Sequence, residues 1–307
     1  MKIIVITGAT ATGKTELSIE LAERLNGEII SADSMMVYKY MDIGTAKPSI
    51  EERKGIPHHL IDIVEPSFTF SVKEFVEEAD KKIKEITSRK KVPIVVGGTW
   101  LYIQALLFGL SKAPEGNWKI REELYRKDNV ELFENLKNVD PEYAKKIHLN
   151  DKKRIIRALE VFYTTGKPFS SYIKEHAFKE NRYPFLGFVL NRPREEIMER
   201  IEKRVDNMIK GGLIQETENL IKMGYEKAIT SMQAIGYKEL IPYIKREISL
   251  PEAKEEIIKN TKKFAKRQIR AFRSKFKEEK GWEWIDISRY TNGEVLDKII
   301  KKYHQNN

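Results

Sequence analysis

The feature that most constrains this chain is a phosphate-binding loop near its N-terminus. Residues 8–15 read Gly-Ala-Thr-Ala-Thr-Gly-Lys-Thr and match the pattern G-x-x-x-x-G-K-[ST]. A β-branched run at residues 3–7 precedes the loop, and leucines at helical spacing follow it as far as residue 25. Because the backbone N–H groups of such a loop converge on phosphate oxygens, this order predicts an α/β sheet that binds a diphosphate or triphosphate. The candidate phosphate-binding residues are Gly8, Ala9, Thr10, Ala11, Thr12, Gly13, Lys14 and Thr15, and Thr15 is also a candidate ligand of Mg²⁺.

Further along the chain, short apolar runs alternate with helical patterns. Residues 28–31, 92–96 and 185–190 have the composition of buried strands, and residues 72–86 carry apolar side chains at helical spacing. This alternation predicts a parallel sheet flanked by helices on both faces. The strand signal is lost from about residue 113 to residue 183, which predicts an inserted all-helical domain. We assign residues 1–112 and 184–307 to a P-loop core whose C-terminal region is helical, with a last candidate strand at residues 282–285.

The composition limits the partners and the chemistry of the chain. Lys and Arg number 56 against 46 Asp and Glu. This excess favours a polyanion such as nucleic acid, although a basic surface also serves solubility alone. The absence of cysteine excludes disulfides, thiolate catalysis and cysteine-based zinc sites. No apolar stretch approaches the roughly 20 residues of a membrane helix, so we expect a soluble, cytoplasmic protein without membrane contact.

The acidic residue of an ordinary nucleotide hydrolase is not evident. A Walker-B strand would end in an aspartate that reaches the metal, whereas residues 92–96 run into Gly97-Gly98-Thr99, and Leu60-Ile61-Asp62 is a poor second candidate. Asp33 instead follows the strand at residues 28–31, at the sheet edge where ligands of parallel sheets bind. Asp33 is therefore either a group that reaches the reacting centre or a turn and helix-cap residue.

A series of segments, in order along the chain, resembles the tRNA dimethylallyltransferases. Gly97-Gly98-Thr99-Trp100-Leu101-Tyr102 is similar to that family's G-G-T-x-L-Y segment, and residues 33–38, Asp-Ser-Met-Met-Val-Tyr, also resemble it. The other segments are residues 41–48, 57–62, 151–160, 200–204, 234–239 and 265–268. The resemblance extends from residue 7 to about residue 273. The phosphate loop departs from it mildly, with Ala9 where the family commonly has proline.

The resemblance implies a reaction and its residues. The loop would hold the diphosphate of dimethylallyl diphosphate, assisted by Mg²⁺, and the acceptor would be N6 of the adenosine immediately 3′ of the anticodon in tRNA. The implied catalytic residues are Asp33, which accepts a proton from the adenine amine, Thr99, and Arg204, which neutralises the leaving diphosphate, with Arg200 as its alternative. The implied tRNA-binding residues are Asp33, Ser34, Met35, Met36, Thr99, Arg121, Lys153, Arg154, Ile155, Ile156 and Arg157. We expect the inserted domain, residues 113–183, to contact tRNA and the protein to act as a monomer.

Other functions remain open at this point. A P-loop kinase of a nucleoside or small metabolite fits the loop, but the missing Walker-B aspartate and the helical insertion argue against it. A non-enzymatic RNA-binding ATP sensor is a third hypothesis. Prenylation of free AMP is a nearer variant, against which the long insertion and the basic C-terminal region argue.

Two side-chain patterns have competing interpretations. Residues 259–277 are rich in Lys and Arg, with Lys263, Lys266, Arg270, Arg273 and Lys277 on one helical face. That face either contacts RNA phosphates or is simply solvated. The pair His58-His59 is interpreted as structural, because adjacent residues of a strand point to opposite sides, and Trp282 and Trp284 as core residues.

Overall fold

A parallel sheet of six strands is the centre of the fold, as the alternation of strands and helices predicted. The computed structural model describes residues 2–176 and 178–306. Every neighbouring pair of strands is parallel, and the order across the sheet is β3-β2-β4-β1-β5-β6. The strands are β1 (Ile3–Gly8), β2 (Gly27–Ser31), β3 (His58–His59), β4 (Val92–Gly97), β5 (Phe185–Asn191) and β6 (Trp282–Asp286).

Helices connect these strands, and the side chains of capping residues satisfy the first N–H groups of several of them. Ser71 and Glu74 form a capping box at the start of α2, and Ser249 and Glu252 form another at the start of α12. The helices are α1 (Lys14–Leu25), α2 (Val72–Ser88), α3 (Trp100–Phe108), α4 (Trp118–Tyr125), α5 (Asn129–Val139), α6 (Pro141–Ala144), α7 (Lys152–Thr165), α8 (Phe169–His176), α9 (Arg194–Lys210), α10 (Leu213–Lys222), α11 (Tyr237–Ile244), α12 (Leu250–Lys275) and α13 (Asn292–Asn306). Two short 3₁₀ helices are found at Ser231–Gln233 and Glu278–Lys280.

The sheet is covered by helices on both faces, which explains why β1 is apolar throughout. Ile4 and Ile6 of β1 pack in one cluster with Leu21 of α1 and Leu296 of α13. On the other side of the strand, Val5 is fully buried. Helix α2 packs against β2 and β4, and α12 packs against β1. Among residues 2–176 and 178–306, no helix is both long and apolar enough to cross a membrane.

The helical insertion is a compact unit of its own. The chain divides into residues up to 106 together with residues 183 onward, and a second unit of residues 107–182. This unit begins before the expected residue 113, because the backbone oxygens of Leu107 and Phe108 accept hydrogen bonds from the N–H groups of Arg182 and Glu180, at 3.0 and 3.1 Å. Its core is formed by apolar residues of four helices, α4 to α7, including Leu124, Leu132, Leu136, Ala144, Ile155, Ile156 and Leu159.

The sheet topology brings three chain segments to one edge. In the register of the sheet, Thr7 of β1 lies beside Gly97 of β4, and Val96 lies beside Ser31 of β2. Because the three strands are parallel, the loops that follow them leave from the same edge. The phosphate loop, Asp33 and Thr99 are carried by those loops.

Two other groups interpreted from the sequence have structural contacts. His59 forms a 2.7 Å hydrogen bond with Glu28, and His58 Nδ1 lies 2.8 Å from the backbone oxygen of Ile56. Trp282 is buried and stacks on Phe276, with ring centroids 4.1 Å apart. Indole Nε1 of the second tryptophan, at position 284, donates to the backbone oxygen of the same phenylalanine at 2.8 Å. These contacts hold the edge strands β3 and β6 in place.

Candidate active site

The phosphate loop has a backbone shape that two of its residues can adopt only as glycine. Gly8 has φ of +155°, and a Cβ atom there would lie 2.4 Å from the backbone oxygen of Leu190 on β5. Gly13, at the N-terminus of α1, is in the left-handed region with φ of +93°. The first turn of a helix leaves its backbone N–H groups without partners in the helix, so the loop and α1 offer donors to an anion.

Three side chains from distant parts of the chain brace this loop. Arg200 Nε donates to the backbone oxygen of Ala11 at 2.8 Å, and Arg192 Nε donates to that of Thr12 at 3.3 Å. On its other side, the backbone N–H of Thr10 donates to Oε1 of Gln268 at 2.9 Å. The loop is therefore held from α9, from α12 and from the turn between β5 and α9, and its shape does not depend on its own residues alone.

Lys14 carries its charge inside the loop. Its Nζ donates to the backbone oxygens of Gly8 and Ala9 at 2.9 and 2.8 Å. Burial and, to a lesser extent, the nearby guanidinium of Arg204 lower the pKa of Lys14, whereas the carboxylate of Asp33 raises it, and the net result is a pKa of about 8. The three charged groups thus share one electrostatic environment.

The carboxylate of Asp33 is held in a fixed orientation. Its Oδ1 accepts from the backbone N–H of Met35 at 2.8 Å and more weakly from that of Met36 at 3.4 Å. Its Oδ2 has no hydrogen bond to any residue that the structure describes. Asp33 therefore does cap a turn, and it does so with one oxygen, which leaves the other available to a ligand.

Thr99 stabilises the same turn. Its Oγ1 accepts from the backbone N–H of Ser34 at 3.1 Å and lies 3.4 Å from the Ser34 hydroxyl. Its backbone oxygen accepts from the N–H groups of Tyr102 and Ile103 in the first turn of α3. Thr99 thus begins α3 with its backbone oxygen and holds the turn beside Asp33 with its hydroxyl.

Arg204 projects from α9 toward this environment. Burial lowers its pKa from the ordinary value, and the charge of Asp33 opposes that shift. Among the described residues, 2–176 and 178–306, Arg204 has no ion pair and no hydrogen bond. A guanidinium that is desolvated and lacks an anionic partner is well suited to bind an anion.

These residues line one cavity of about 690 Å³ in the sheet-containing unit. Thr10, Lys14, Asp33, Thr99 and Arg204 all border it. Its basic residues outnumber its acidic residues by six to two, so the cavity suits an anionic ligand. The basic residues are Lys14, Arg200, Lys203, Arg204, Lys238 and Arg267, and the acidic residues are Glu16 and Asp33.

The cavity includes most of the residues expected in this unit. Ala11, Gly13, Thr15, Ser34, Met35 and Met36 border it, together with the residues named above. Gly8, Ala9 and Thr12 do not line it. Their contribution is to the loop: Thr12 Oγ1 donates to the backbone oxygen of Ala9 at 2.8 Å, and Gly8 permits the turn. The second Walker-B candidate, Asp62, is not in the cavity and forms an ion pair with Lys47 at 2.5 Å.

The six residues expected to bind tRNA from the helical unit have different environments. Arg121 and Arg157 both pair with Glu160, at 2.8 and 2.6 Å, and the carboxylate of Glu160 is fully buried. Lys153 and Arg154 are exposed at the start of α7. The remaining two, Ile155 and Ile156, lie in the core of the unit, so their side chains hold α7 in place and offer no surface to a ligand.

Sequence reasoning gave no role to several residues that shape the cavity. Gln268 lay within a motif but had no role of its own, and Lys203, Lys238 and Arg267 were not singled out as part of a site. Glu216 was also missed, although its carboxylate accepts from the backbone N–H groups of Ile43 and Gly44 at 2.9 and 3.1 Å and so fixes one wall of the cavity. The only local signal for these residues is their charge or amide group, because the contacts join distant segments.

Comparison with known proteins decides the family. The IPP transferase family model matches residues 36–275. A tRNA dimethylallyltransferase of Sulfurihydrogenibium sp. is 60% identical over 303 residues, covering 99% of this chain and 97% of that protein. The chain belongs to the IPP transferase family. This membership decides against a kinase and against an ATP sensor, which rested on the phosphate loop alone.

Solved structures of the IPP transferase family share the fold. A tRNA delta(2)-isopentenylpyrophosphate transferase from Staphylococcus epidermidis has 45% identity and a TM-score of 0.74, and the match covers 99% of each chain. A eukaryotic dimethylallyltransferase acting on tRNA has 34% identity and a TM-score of 0.80, covering 93% of this chain and 73% of that one. The α/β fold of the IPP transferase family is therefore the fold of this chain.

Proposed function

We propose that this chain transfers the dimethylallyl group of dimethylallyl diphosphate to N6 of the adenosine immediately 3′ of the anticodon in tRNA. The observation that carries the proposal is that the phosphate loop and Asp33 line one cavity. A diphosphate bound at the loop and an adenine amine facing Asp33 would meet inside it. The tRNA named for the relatives supports a macromolecular acceptor over free AMP.

In the proposed reaction, a bond forms between N6 of the adenine and C1 of the prenyl group while the bond from C1 to the diphosphate oxygen breaks. The bonding electrons leave with the diphosphate, and the proton of the amine passes to Oδ2 of Asp33. The amine is a weak nucleophile, because its lone pair is delocalised into the ring, so a positioned carboxylate lowers the barrier. The loop N–H groups, Lys14 and Arg204 neutralise the charge that develops on the diphosphate.

Mg²⁺ fits this site as a partner of the donor phosphates. Within residues 2–176 and 178–306, no group of three His, Cys, Asp or Glu side chains could hold a metal ion. Mg²⁺ commonly uses one or two protein ligands together with substrate phosphates and waters, and Thr15 borders the cavity beside Asp33. When bound there, the ion would add positive charge next to the leaving diphosphate.

The acceptor adenosine has to leave its stack in the anticodon loop to enter the cavity. Ser34, Met35 and Met36 border the cavity beside Asp33 and would contact the extruded base. In the helical unit, the exposed side chains of Lys153 and Arg154 would contact the RNA backbone. For Arg121 and Arg157, we propose contact through the guanidinium N–H groups that Glu160 does not use.

The direct test is a prenylation assay with an anticodon stem-loop. The protein is incubated with Mg²⁺, dimethylallyl diphosphate and a stem-loop that carries adenosine 3′ of the anticodon, and the nucleosides are then separated by mass spectrometry. N6-dimethylallyladenosine is expected, with none from the same stem-loop carrying guanosine at that position. Modification of free AMP alone, or none at all by folded protein, would overturn the proposal.

The charge of Lys14 makes a prediction about pH. A lysine is cationic below its pKa, so Lys14 is fully charged well below pH 8 and loses its charge above about pH 8. We therefore expect kcat/KM for dimethylallyl diphosphate, which reports the free enzyme, to fall above about pH 8. The measurement is a pH profile of kcat/KM from about pH 6 to pH 10. Lys14→Arg, which stays charged, should lose this descending limb, and an unchanged limb would assign it to another group.

The exposed basic face of α12 makes a second prediction. Lys266, Arg270 and Arg273 are exposed and have no ion pair with any described residue. Replacing all three by glutamine should weaken tRNA binding and reduce the slope of log K against log salt by up to about 2–3, because each phosphate contact releases counterions. Affinity for dimethylallyl diphosphate should change little. The measurement is filter binding of tRNA over a series of salt concentrations.

A matched control removes three lysines from α2 and the turn after it. Lys81, Lys84 and Lys90 are exposed, and α2 contributes no residue to the cavity. Glutamine at these positions lowers the net charge equally and should leave the salt slope unchanged. If the two triple variants lose tRNA affinity equally, only net charge matters, and the face on α12 is a solvated surface.

A further inference from the structure

Gln268 is the only described residue whose side chain hydrogen-bonds both the phosphate loop and the loop that carries Thr99. Its Oε1 accepts from the backbone N–H of Thr10 at 2.9 Å, and its Nε2 donates to the backbone oxygen of Gly98 at 3.0 Å. The side chain lies in the middle of α12 and is 5% exposed. Both halves of one buried amide are thus used, and each half holds a different loop.

The two loops carry the two halves of the proposed reaction. Thr10 begins the segment that would hold the donor diphosphate. Gly98 precedes Thr99, whose hydroxyl fixes the turn that follows Asp33. The separation between donor and proton acceptor therefore depends on a side chain that lines the cavity and belongs to neither loop.

We propose that Gln268 is a positioning residue that sets the distance between the phosphate loop and the Asp33–Thr99 turn. The inference rests on the proposed function, because it concerns the same two substrates. An amide is required because one atom of the side chain must accept from the N–H of Thr10 while another atom donates to the backbone oxygen of Gly98. A carboxylate could satisfy only Thr10, and a methionine of similar length could satisfy neither.

Gly98 provides an independent way to disturb the same contact. A Cβ atom at position 98 would lie 2.4 Å from Nε2 of Gln268, whereas the next nearest atom in another loop, the backbone oxygen of Gly8, is at 3.6 Å. Alanine at this position would therefore displace the amide of Gln268 first, because a side-chain end moves more easily than backbone.

The test compares the steady-state kinetics of Gln268→Met and Gln268→Glu with wild type. We expect Gln268→Met to lower kcat/KM for dimethylallyl diphosphate by about 10- to 100-fold, because two buried partners lose their hydrogen bonds and the reacting groups shift. Gln268→Glu keeps the oxygen that accepts from the Thr10 N–H. Its KM for dimethylallyl diphosphate should therefore lie between those of wild type and Gln268→Met, whereas its kcat should stay as low as that of Gln268→Met. Affinity for tRNA should stay within about twofold of wild type in both variants, since no RNA contact is assigned to this buried side chain.

The control and the double variant separate positioning from a general loss of structure. Gln215→Met removes an exposed glutamine of α10 whose bond is local, to Asn219, and should change no kinetic constant. Gly98→Ala should reproduce the loss seen in Gln268→Met. In the background Gln268→Ala it should add almost nothing, because the displaced amide is already absent.

The outcomes are distinct from those of the proposed function. If wild type prenylates the stem-loop while Gln268→Met matches wild type in kcat/KM, the positioning role is wrong and the function stands. Additive losses in Gly98→Ala and Gln268→Ala would also overturn the role. If Gln268→Met does not fold, as judged by thermal unfolding, Gly98→Ala and Gln268→Glu decide the matter. No prenylation by wild type would overturn the function itself.

Discussion

Asp33→Asn is expected to lower kcat for prenyl transfer by about 10²- to 10⁴-fold, the usual contribution of a positioned general base. Asparagine has nearly the same shape, and its side-chain oxygen can still accept from the backbone N–H groups of Met35 and Met36. The turn should therefore keep its conformation while losing the atom that takes the proton. We expect tRNA affinity to stay within a few fold of wild type.

The measurement is single-turnover prenylation at saturating donor, combined with tRNA binding. Asp297→Asn is a suitable control, because the one ion pair that Asp297 forms with the described residues is an exposed one with Arg24. That variant should retain wild-type kcat. If Asp33→Asn instead loses tRNA affinity and kcat in equal measure, Asp33 serves to hold the adenosine and another group accepts the proton.

Arg204→Gln is expected to lower kcat/KM for dimethylallyl diphosphate by about 10²- to 10³-fold, the loss seen when one donor to a developing anion is removed. The desolvated guanidinium has no ion pair with any described residue, so its charge is available to the diphosphate. A second effect follows from its position. Because Arg204 lowers the pKa of Lys14, its removal should shift the descending limb of the pH profile to higher pH.

The control for this variant lies on the same helix. Arg194 is exposed at the start of α9 and does not line the cavity, so Arg194→Gln should keep both the rate and the pH limb of wild type. A normal rate in Arg204→Gln would remove Arg204 from the reaction. If the rate of Arg204→Gln falls but the descending limb of its pH profile stays where it is in wild type, Arg204 binds the donor and does not alter the pKa of Lys14.

The parts of the fold that could be predicted are those with a local pattern. The phosphate-loop motif predicted a strand before it and a helix after it, and these are β1 and α1. Helix α1 has the bounds that its leucines indicated. That Asp33 and Thr99 lie at one sheet edge followed from parallel strands alone. The two-residue strand β3 is too short to have a pattern. The C-terminal region was predicted to be helical, but no separate helix was assigned after residues 282–285, although Val295 and Ile299 of α13 have helical spacing.

The parts of the site that could not be predicted depend on contacts between distant segments. Gln268 meets Thr10 across 258 positions, and nothing in the neighbourhood of either residue indicates the pairing. A family motif also gives no direction to a side chain. Ile155 and Ile156 belong to a segment expected to bind RNA, yet their apolar side chains are buried, as elementary packing alone would suggest.

The braces of the phosphate loop have a consequence for synthesis of the protein. During translation, residues 8–15 leave the ribosome early, whereas the residues that brace them leave it later. These are Arg192, Arg200 and Gln268, and Gln268 is made after most of the chain. The central strand β1 must also await β4 and β5 on its two sides. A nascent chain therefore holds an unsupported loop, and the capacity to consume an energy-rich prenyl donor arises only once translation is nearly complete.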